Sequence, residues 1–333
     1  MGPHHLYESV PNFSEGTRPE VIAELAGAAG RAYVIDVDAD ADHNRVVISV
    51  VGQTAQLLDA LVASVHVAMQ HIDLREHRGV HPRVGAADVI PIVPLDGASL
   101  ADAHELARTL GDRVWDELKV PVYYYGHGEE HTLADIRAGR ARPSLGDELH
   151  ASAGAVCIGA RHPLVAFNVI LPGLRLLEAR ALARALRESG GGLRGVQALA
   201  FELTDGRVQL SMNLFRLEET PPSAVVAELE RRGVSIGSQH VIGLCPAAVA
   251  NQAATGRLLE ARLAAAVARR GGLKREAAEL ARTGIDQDAL LLAAKRSAAL
   301  IPVLRAAGVL GEDMRTMLDI AVRGLRSAAL RTD

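Results

Sequence analysis

The stretch "HRGVHPRVGAADVIPIVP", residues 77–94, carries two histidines whose type and spacing could do chemistry. His77 and His81 are four residues apart, as in a helical metal site, but Gly79 lies between them and Pro82 follows His81 directly. A proline disfavours helical backbone at the residue before it, so we expect both histidines on a loop that runs into an apolar strand. Histidine moves protons most easily near neutral pH, which makes His81 the first candidate for an acid–base residue.

Two other groups of residues compete with this interpretation. Asp36 and Asp38 end a predicted strand, where an acidic residue either forms the turn or, if buried, orients a histidine or holds a cation. The segment "YGHGEEH", residues 125–131, adds further histidines and glutamates. A metal-dependent hydrolase is therefore an alternative, although the glycines leave the ligand geometry undefined. Its ligands would be His77, His81, His127 and His131.

A β-α-β-β-α-β order of elements must position these residues. Strands are predicted from "LYESVPNF", "YVIDVD", "RVVISVVG" and "DVIPIVP", and helices from "TRPEVIAELAGAAGRA" and "TAQLLDALVASVHVAMQHI". The second helix has one apolar stripe at helical spacing, formed by Leu57, Leu58, Leu61, Val62 and Val65. Residues 97–160 are expected to enlarge this domain with a helix, the strand "VPVYYYG" and the short helix "HTLADIRAG".

The same order of elements repeats in the second half of the chain. It runs from the strand "LVAFNVILP" through a hairpin at Asp205-Gly206 to the strand "VSIGSQHVIG". Beyond residue 246 the sequence is rich in alanine and leucine, reads as helical and carries no chemical signature. We therefore predict an α+β protein with two ferredoxin-like βαββαβ subdomains, residues 6–160 and 161–246, with mixed or antiparallel sheets. An α-helical extension, residues 247–333, is expected to follow them.

The composition limits the class of partner. The formal net charge is −4, and no block of five like charges occurs, which argues against nucleic acid or an anionic membrane as a partner. No apolar run has the length that a membrane span needs. Cys157 and Cys245 form no metal or disulfide pattern, and no signal peptide is evident. A cytoplasmic protein with free, buried thiols is the expectation.

Several motifs, in order along the chain, resemble the glutamate formimidoyltransferase family. They are "VPNFSEG" at 10–16, "DVDAD..HNR" at 36–45, "G.HPR.GA.DV.P.VP" at 79–94, "VPVY.YG" at 120–126, "IRAG" at 136–139, "GAR.PLVAFN" at 159–168, "VQLSMNL" at 208–214 and "GSQ" at 237–239. The resemblance covers roughly residues 8–246 and both predicted repeats, and the histidine loop is its most specific part.

This resemblance implies a reaction and a site. The family transfers a formimidoyl group from N-formimidoyl-L-glutamate, or a related formimidoyl-amino compound, to N5 of tetrahydrofolate. It implies that His81 takes and gives the protons and that Asp38 steadies a cation, and a carboxylate near His81 would raise the histidine pKa. The expected folate segment lies in a cleft between the repeats, opposite His81. It comprises Gly159, Ala160, Arg161, His162, Pro163, Leu164, Val165, Ala166, Phe167 and Asn168.

Within that segment, Arg161 is expected to pair with a carboxylate, Phe167 to contact a ring and Asn168 to bind a pterin. Tetrahydrofolate is then a co-substrate, no metal is expected, and the partners are small molecules and a second copy in a homodimer. The sequence after residue 246 lacks the opening of a cyclodeaminase domain, so no cyclodeaminase activity is expected. A folate-binding protein without catalytic activity remains a second alternative.

Overall fold

The computed structural model describes residues 5–79, 81–95 and 97–331, and it places two β-sheets and several helices among them. The chain divides into two compact units, Met1–His162 and Pro163–Asp333. Each unit combines one sheet with helices, so the predicted α+β class is confirmed. The proposed limits of the subdomains and of the helical extension stay predictions.

The first unit contains a seven-stranded sheet within its described residues. Its strands are β1 (Leu6–Ser9), β2 (Asn12–Phe13), β3 (Tyr33–Asp40), β4 (Arg45–Gln53), β5 (Ala87–Pro94), β6 (Val122–Gly126) and β7 (Val156–Ala160). Its helices are α1 (Pro19–Ala29), α2 (Thr54–His71), α3 (Leu100–Leu118) and α4 (Leu133–Arg137).

This sheet is mixed. The strand order is β1-β4-β2-β5-β7-β6, with β3 beside β4 and an additional pairing of β1 with β5. Strands β1 and β2 are two pieces of one predicted strand, interrupted at Val10 and Pro11. Proline has no N–H to donate to a ladder, but the Pro11 carbonyl still accepts a hydrogen bond from the Ile48 N–H at 3.0 Å. Strand β7 pairs in parallel with β5 and β6, and the other pairings are antiparallel.

Strand β7 was missing from the predicted elements of residues 97–160. Its sequence, VCIGA, is buried at every position between two parallel neighbours, so no alternation of polar and apolar residues marks it. The close packing needs Gly159, where an added Cβ would collide with the Tyr125 carbonyl oxygen of β6. The strand therefore joins β5 to β6 and adds to the strands that were predicted for this sheet.

One face of this sheet packs against α1, α2 and α3 and forms the main core. Helix α2 buries all five residues of the predicted apolar stripe, which confirms that helix. Helix α3 begins at a capping box, in which Ser99 Oγ accepts a hydrogen bond from the Asp102 N–H at 3.1 Å. On β4, Val46 and Ile48 lie in this core. Because side chains alternate along a strand, Arg45 points to the other face, where the candidate site lies.

The second unit contains a four-stranded antiparallel sheet within its described residues. Its strands are β8 (Val165–Ile170), β9 (Val196–Glu202), β10 (Val208–Leu214) and β11 (Gln239–Ile242). Its helices are α5 (Leu176–Leu186), α6 (Pro222–Arg231), α7 (Leu259–Arg270), α8 (Lys274–Leu280), α9 (Gln287–Ala306) and α10 (Glu312–Ala329).

The strand order of the second sheet is β11-β8-β10-β9. Strands β9 and β10 form the predicted hairpin, and Gly206 takes a φ of +81° in its turn. The last four helices confirm the predicted helical character of the C-terminal part, and α9 and α10 bury Leu300, Leu304, Met317 and Leu325. Among the helices of the described ranges, none is long and apolar enough to cross a membrane.

A buried ion pair joins β4 to β5 on the face opposite the main core. Arg45 Nη1 donates to Asp88 Oδ2 at 2.7 Å, and the Asp88 side chain has no solvent exposure. The other oxygen, Oδ1, accepts a hydrogen bond from the Val84 N–H at 2.6 Å. One carboxylate therefore fixes both a strand pair and the end of the histidine loop.

We predict that Asp88→Asn destabilises the protein much more than an ordinary surface change. Asparagine keeps the shape but leaves the Arg45 charge buried without its counter-ion, and breaking such a pair costs about 3–5 kcal/mol. The free energy of unfolding, measured by urea titration followed by circular dichroism, tests this.

The matched control is Asp59→Asn. Asp59 accepts from Arg113 Nη1 at 2.8 Å, but both side chains are substantially exposed, and such pairs contribute about 0–1 kcal/mol. Equal losses of stability in the two variants would contradict a structural role for the buried pair.

Candidate active site

The loop of residues 77–85 holds His81 in one tautomer. Its Nδ1 lies 2.7 Å from the Pro82 carbonyl oxygen. A carbonyl oxygen only accepts, so Nδ1 carries the proton and Nε2 carries the lone pair. The half-buried imidazole is thus set up to accept a proton at Nε2.

The hairpin turn between β3 and β4 supports this loop. An added Cβ at Gly79 would lie 2.6 Å from the His43 carbonyl oxygen, so only glycine allows the loop to come this close. Asn44 Nδ2 donates to the Arg78 carbonyl at 2.8 Å, and the ring centroids of His43 and His81 are 6.2 Å apart. The turn that follows Asp38 in sequence therefore packs directly against the histidine loop.

Arg83 ties the loop to itself. Its Nη2 donates to the His81 carbonyl oxygen at 2.8 Å, and its Nη1 contacts the ring of His77. The ring of His77 is thereby engaged in a contact within the loop.

Burial and positive charge together lower the pKa of His81 from 6.5 to about 3. Burial is the largest cause, and the charges of Arg45 and Arg137 act in the same direction. Asp88 and the hydrogen bond to Pro82 oppose them. The expectation of a raised pKa is therefore wrong, because burial, followed by the charges of two guanidinium groups, outweighs the effect of the Asp88 carboxylate. His81 is neutral at neutral pH.

Asp38 lies half-buried on β3, on the same face of the sheet as the charged group formed by Arg45, Asp88 and Arg137. It is paired across the ladder with Val47, which is paired in turn with Asn12 of β2. Residues opposite each other in a ladder share a face, and Asn12 Oδ1 accepts from Arg45 Nε at 3.0 Å. The register thus places Asp38 on the sheet face that carries Arg45.

Arg137, at the end of α4, completes the charged group. Its Nη2 lies 3.3 Å from Asp88 Oδ2, the oxygen that Arg45 also contacts. Ile136, the residue before it, packs with Val89 and Cys157 and anchors the helix on the sheet. Burial raises the pKa of the Cys157 thiol, which agrees with the expected buried, unreactive cysteine.

Arg45, Asp88 and Arg137 were not predicted as functional residues. Each belongs to a motif quoted above, "HNR", "DV" and "IRAG", but the three are far apart in sequence. The available signal was Asp88, a charged residue at the beginning of a strand that is otherwise apolar. A carboxylate in such a position needs a cationic partner, although the sequence does not name it.

The proposed folate segment, residues 159–168, runs from β7 through a turn into β8. The Arg161 N–H donates to the Ile92 carbonyl at 3.1 Å. Burial lowers the pKa of its guanidinium, while Tyr125 and Glu8 raise it. Arg161 therefore already interacts with protein groups of the first unit.

Phe167 does not fit the ring-contact role that was expected for it. Its side chain has 0% exposure and lies between Met212 of β10 and Val241 of β11 in the sheet, so it is part of a core. Asn168 points to the opposite face of β8, in one row with Ser211 and His240. Asn168 is 6% exposed, so both side chains are buried, and Asn168 brings a polar group to the other face of the sheet.

The four histidines of the proposed metal site do not converge. His127 follows β6 and its ring lies 6.0 Å from that of His104, outside the loop of His77 and His81. Among residues 5–79, 81–95 and 97–331, no group of three or more histidine, cysteine, aspartate or glutamate side chains could hold a metal ion.

Comparison with known proteins gives consistent matches. A sequence model of the formiminotransferase domain, N-terminal subdomain, matches residues 6–161. The glutamate formimidoyltransferase of Thermoplasma acidophilum is 38% identical over 267 residues, which cover 72% of this chain and 88% of that protein. The corresponding protein of Streptococcus pyogenes is 34% identical, over 73% of this chain and 89% of its own length.

A longer relative is matched over part of its length. The formimidoyltransferase-cyclodeaminase of Rattus norvegicus is 36% identical over 273 residues, which cover 72% of this chain but 50% of that protein. The match covers most of the length of the two shorter relatives, and the family model spans the residues of the histidine loop and of the charged group. The chain therefore belongs to the glutamate formimidoyltransferase family.

Proposed function

We propose that the protein transfers a formimidoyl group from N-formimidoyl-L-glutamate to N5 of tetrahydrofolate, giving glutamate and 5-formimidoyltetrahydrofolate. The observation that carries the proposal is His81, a neutral histidine of fixed tautomer within a chain of this family. Such a group suits a reaction in which one nitrogen must lose a proton and another must gain one.

The transfer then proceeds in two steps. N5 of tetrahydrofolate attacks the amidine carbon of the donor, a C–N5 bond forms, and Nε2 of His81 takes the N5 proton. The resulting imidazolium gives this proton to the glutamate nitrogen, the bond from the amidine carbon to that nitrogen breaks, and the amine leaves. The imidazolium formed in the first step is thus the proton donor of the second step.

Asp38 is proposed to stabilise positive charge in this sequence. Its position on β3 puts a carboxylate on the same sheet face as Arg45, next to the hairpin turn that supports the histidine loop. The imidazolium and the formimidoyl group are both cationic during transfer, and a fixed carboxylate stabilises such charge without reorganising.

For tetrahydrofolate we propose residues 159–168, with Asn168 as the main contact and Phe167 as support from the core. Asn168 offers both a donor and an acceptor to the polar edge of a pterin, and Ser211 beside it in the sheet adds a hydroxyl. Arg161 is proposed to position the segment through its contacts in the first unit.

The finer architecture is also part of the proposal. The sheet order β11-β8-β10-β9, with its β-α-β-β-α-β sequence, supports a ferredoxin-like fold for the second unit. We further propose a monofunctional transferase without cyclodeaminase activity, which acts as a homodimer in the cytoplasm and needs no metal.

A turnover assay tests the function. Purified protein is given tetrahydrofolate with N-formimidoylglutamate, and release of glutamate and formation of 5-formimidoyltetrahydrofolate are followed by mass spectrometry. Equimolar formation of both products is expected. Folate binding without turnover would favour the alternative of a non-catalytic folate-binding protein. Turnover that is lost after dialysis against a chelator would favour metal-dependent chemistry.

We predict that His81→Ala lowers kcat by about a hundredfold or more, because it removes the group that takes and returns the proton. Affinity for tetrahydrofolate, measured by fluorescence titration, should change little. The control is His77→Ala, which removes the neighbouring histidine of the same loop and should lower kcat much less. Nearly full turnover of His81→Ala would refute its role.

Asp38→Asn is expected to lower kcat by about a hundredfold, a size typical for the loss of one electrostatic contact to a transition state. Binding of the donor should fall less than kcat, because the charge develops during transfer. Asp42→Asn, in the turn of the same hairpin, is the matched control and should keep most of the turnover. If both variants retain turnover, Asp38 has no part in the chemistry.

A further inference from the structure

The Arg45–Asp88–Arg137 group is unbalanced in charge and in hydrogen bonding. Two guanidinium groups share one carboxylate oxygen, so the group has one positive charge in excess. The other oxygen of Asp88 is not available to the second guanidinium, because it accepts from the N–H groups of Val84 and Gly85, at 2.6 and 3.4 Å. The group can therefore accept one further anionic group.

Arg137 is the member that has capacity left. Arg45 donates through Nε to Asn12 and through Nη1 to Asp88, and its side chain is 11% exposed. Arg137 makes the longer contact with Asp88, at 3.3 Å, and is 24% exposed. Its Nε is buried and has no hydrogen-bond partner among the residues that the structure describes. A buried donor of this kind normally has a partner, so the described protein groups do not use the full hydrogen-bonding capacity of Arg137.

The charges around His81 limit what that ligand can be. Arg45 on β4, Arg137 on α4 and Asp88 on β5 act on its imidazole, His43 faces it from the hairpin turn, and Arg83 lies on its own loop. An anion that binds Arg137 would therefore also act on the group that moves the proton. A planar carboxylate fits a guanidinium through two parallel hydrogen bonds.

We propose that Arg137 binds the α-carboxylate of the formimidoyl donor and thereby determines the specificity of the transfer for formimidoyl-amino acids. This inference rests on the proposed function. In such a donor the α-carboxylate is separated from the leaving nitrogen by the α-carbon alone, and the leaving nitrogen must reach His81. The carboxylates of tetrahydrofolate lie beyond its aminobenzoyl ring, far from N5, so the donor is the source that fits a cation close to the histidine.

The bound carboxylate has a second effect. It neutralises the excess positive charge beside His81, so the imidazole becomes a better base once the donor is in place. Without the donor, burial and the two guanidinium groups together keep the imidazole neutral. The donor thus helps to activate the group that transfers the proton.

The test compares donors that differ in their carboxylates. Wild type, Arg137→Gln and Arg137→Lys are assayed with N-formimidoylglutamate, N-formimidoylglycine and formamidine, which has no carboxylate. For Arg137→Gln we expect KM to rise about tenfold or more with the first two donors, the size expected for loss of a hydrogen bond to a charged group. KM for formamidine should change little, because this donor has no carboxylate to lose, and any change in kcat through His81 should be common to all three donors. Arg142→Gln, an exposed arginine five residues further along, is the control and should match wild type.

Arg137→Lys separates geometry from charge. Lysine keeps the positive charge but cannot form the planar two-point contact, so KM for both carboxylated donors should still rise. The pKa of His81, followed by NMR of its ring nitrogens in the ligand-free protein, should rise in Arg137→Gln and stay near the wild-type value in Arg137→Lys. This titration shows whether Arg137 acts on His81, which a purely structural residue would not do.

Three results would overturn the inference. An equal fall in kcat/KM with all three donors would mean that Arg137 is a structural residue. Unchanged KM values with the carboxylated donors would mean that Arg137 does not bind the donor. An increase in KM for tetrahydrofolate, but not for tetrahydropteroate, which lacks the glutamate tail, would assign the contact to folate. If wild type transfers no formimidoyl group from any donor, the proposed function itself fails, and this outcome is visible without the variants. Should Arg137→Gln fail to fold, Arg137→Lys carries the donor comparison alone.

Discussion

The structure of the candidate site depends on one buried carboxylate, that of Asp88. Its two oxygens have different partners: one accepts backbone N–H groups from the histidine loop, and the other binds the guanidinium of Arg45 on the neighbouring strand. Burying a charge is unfavourable unless it is both paired and hydrogen-bonded, and Asp88 meets both conditions. The position of His81 relative to the sheet therefore follows from an interaction that does not touch His81.

The electrostatics of the histidine depend on burial and on the two arginines that share this carboxylate. A single arginine would have been neutralised by Asp88, but Arg137 brings a second one to the same oxygen. Together with burial, this excess of positive charge keeps the imidazole neutral and lowers its pKa. A neutral imidazole with a fixed Nδ1 proton is a more defined proton acceptor than a histidine in solvent, because only one of its nitrogens accepts.

Much of the fold was predictable from the sequence, and the reasons are local. Helix α2 has an apolar stripe, and the β9–β10 hairpin has an Asp-Gly turn, so each carries its own signal. Strand β7 carries none, because a short strand buried on both faces shows no periodicity.

In the candidate site, Pro82 beside His81 was enough to predict that this histidine lies on a loop. The direction of its pKa shift was not predictable, because Arg45 and Arg137 come close to it only in the folded chain. For Phe167, the assignment to the core depended on its neighbours Met212 and Val241 on the adjacent strands, which the sequence alone does not pair with it.

The position of β7 in the first sheet also dictates an order of assembly during synthesis. Strand β6 has β7 as its partner within the described sheet, and β7 also forms the bridge to β5. When β6 has left the ribosome, it has no strand to pair with until β7 follows about thirty residues later, whereas the β3–β4 hairpin can form at once from local contacts. The closing of the sheet is thus a late, long-range event. Because β7 ends in the first residues of the proposed folate segment, the nascent chain acquires that segment at the moment when its first sheet becomes complete.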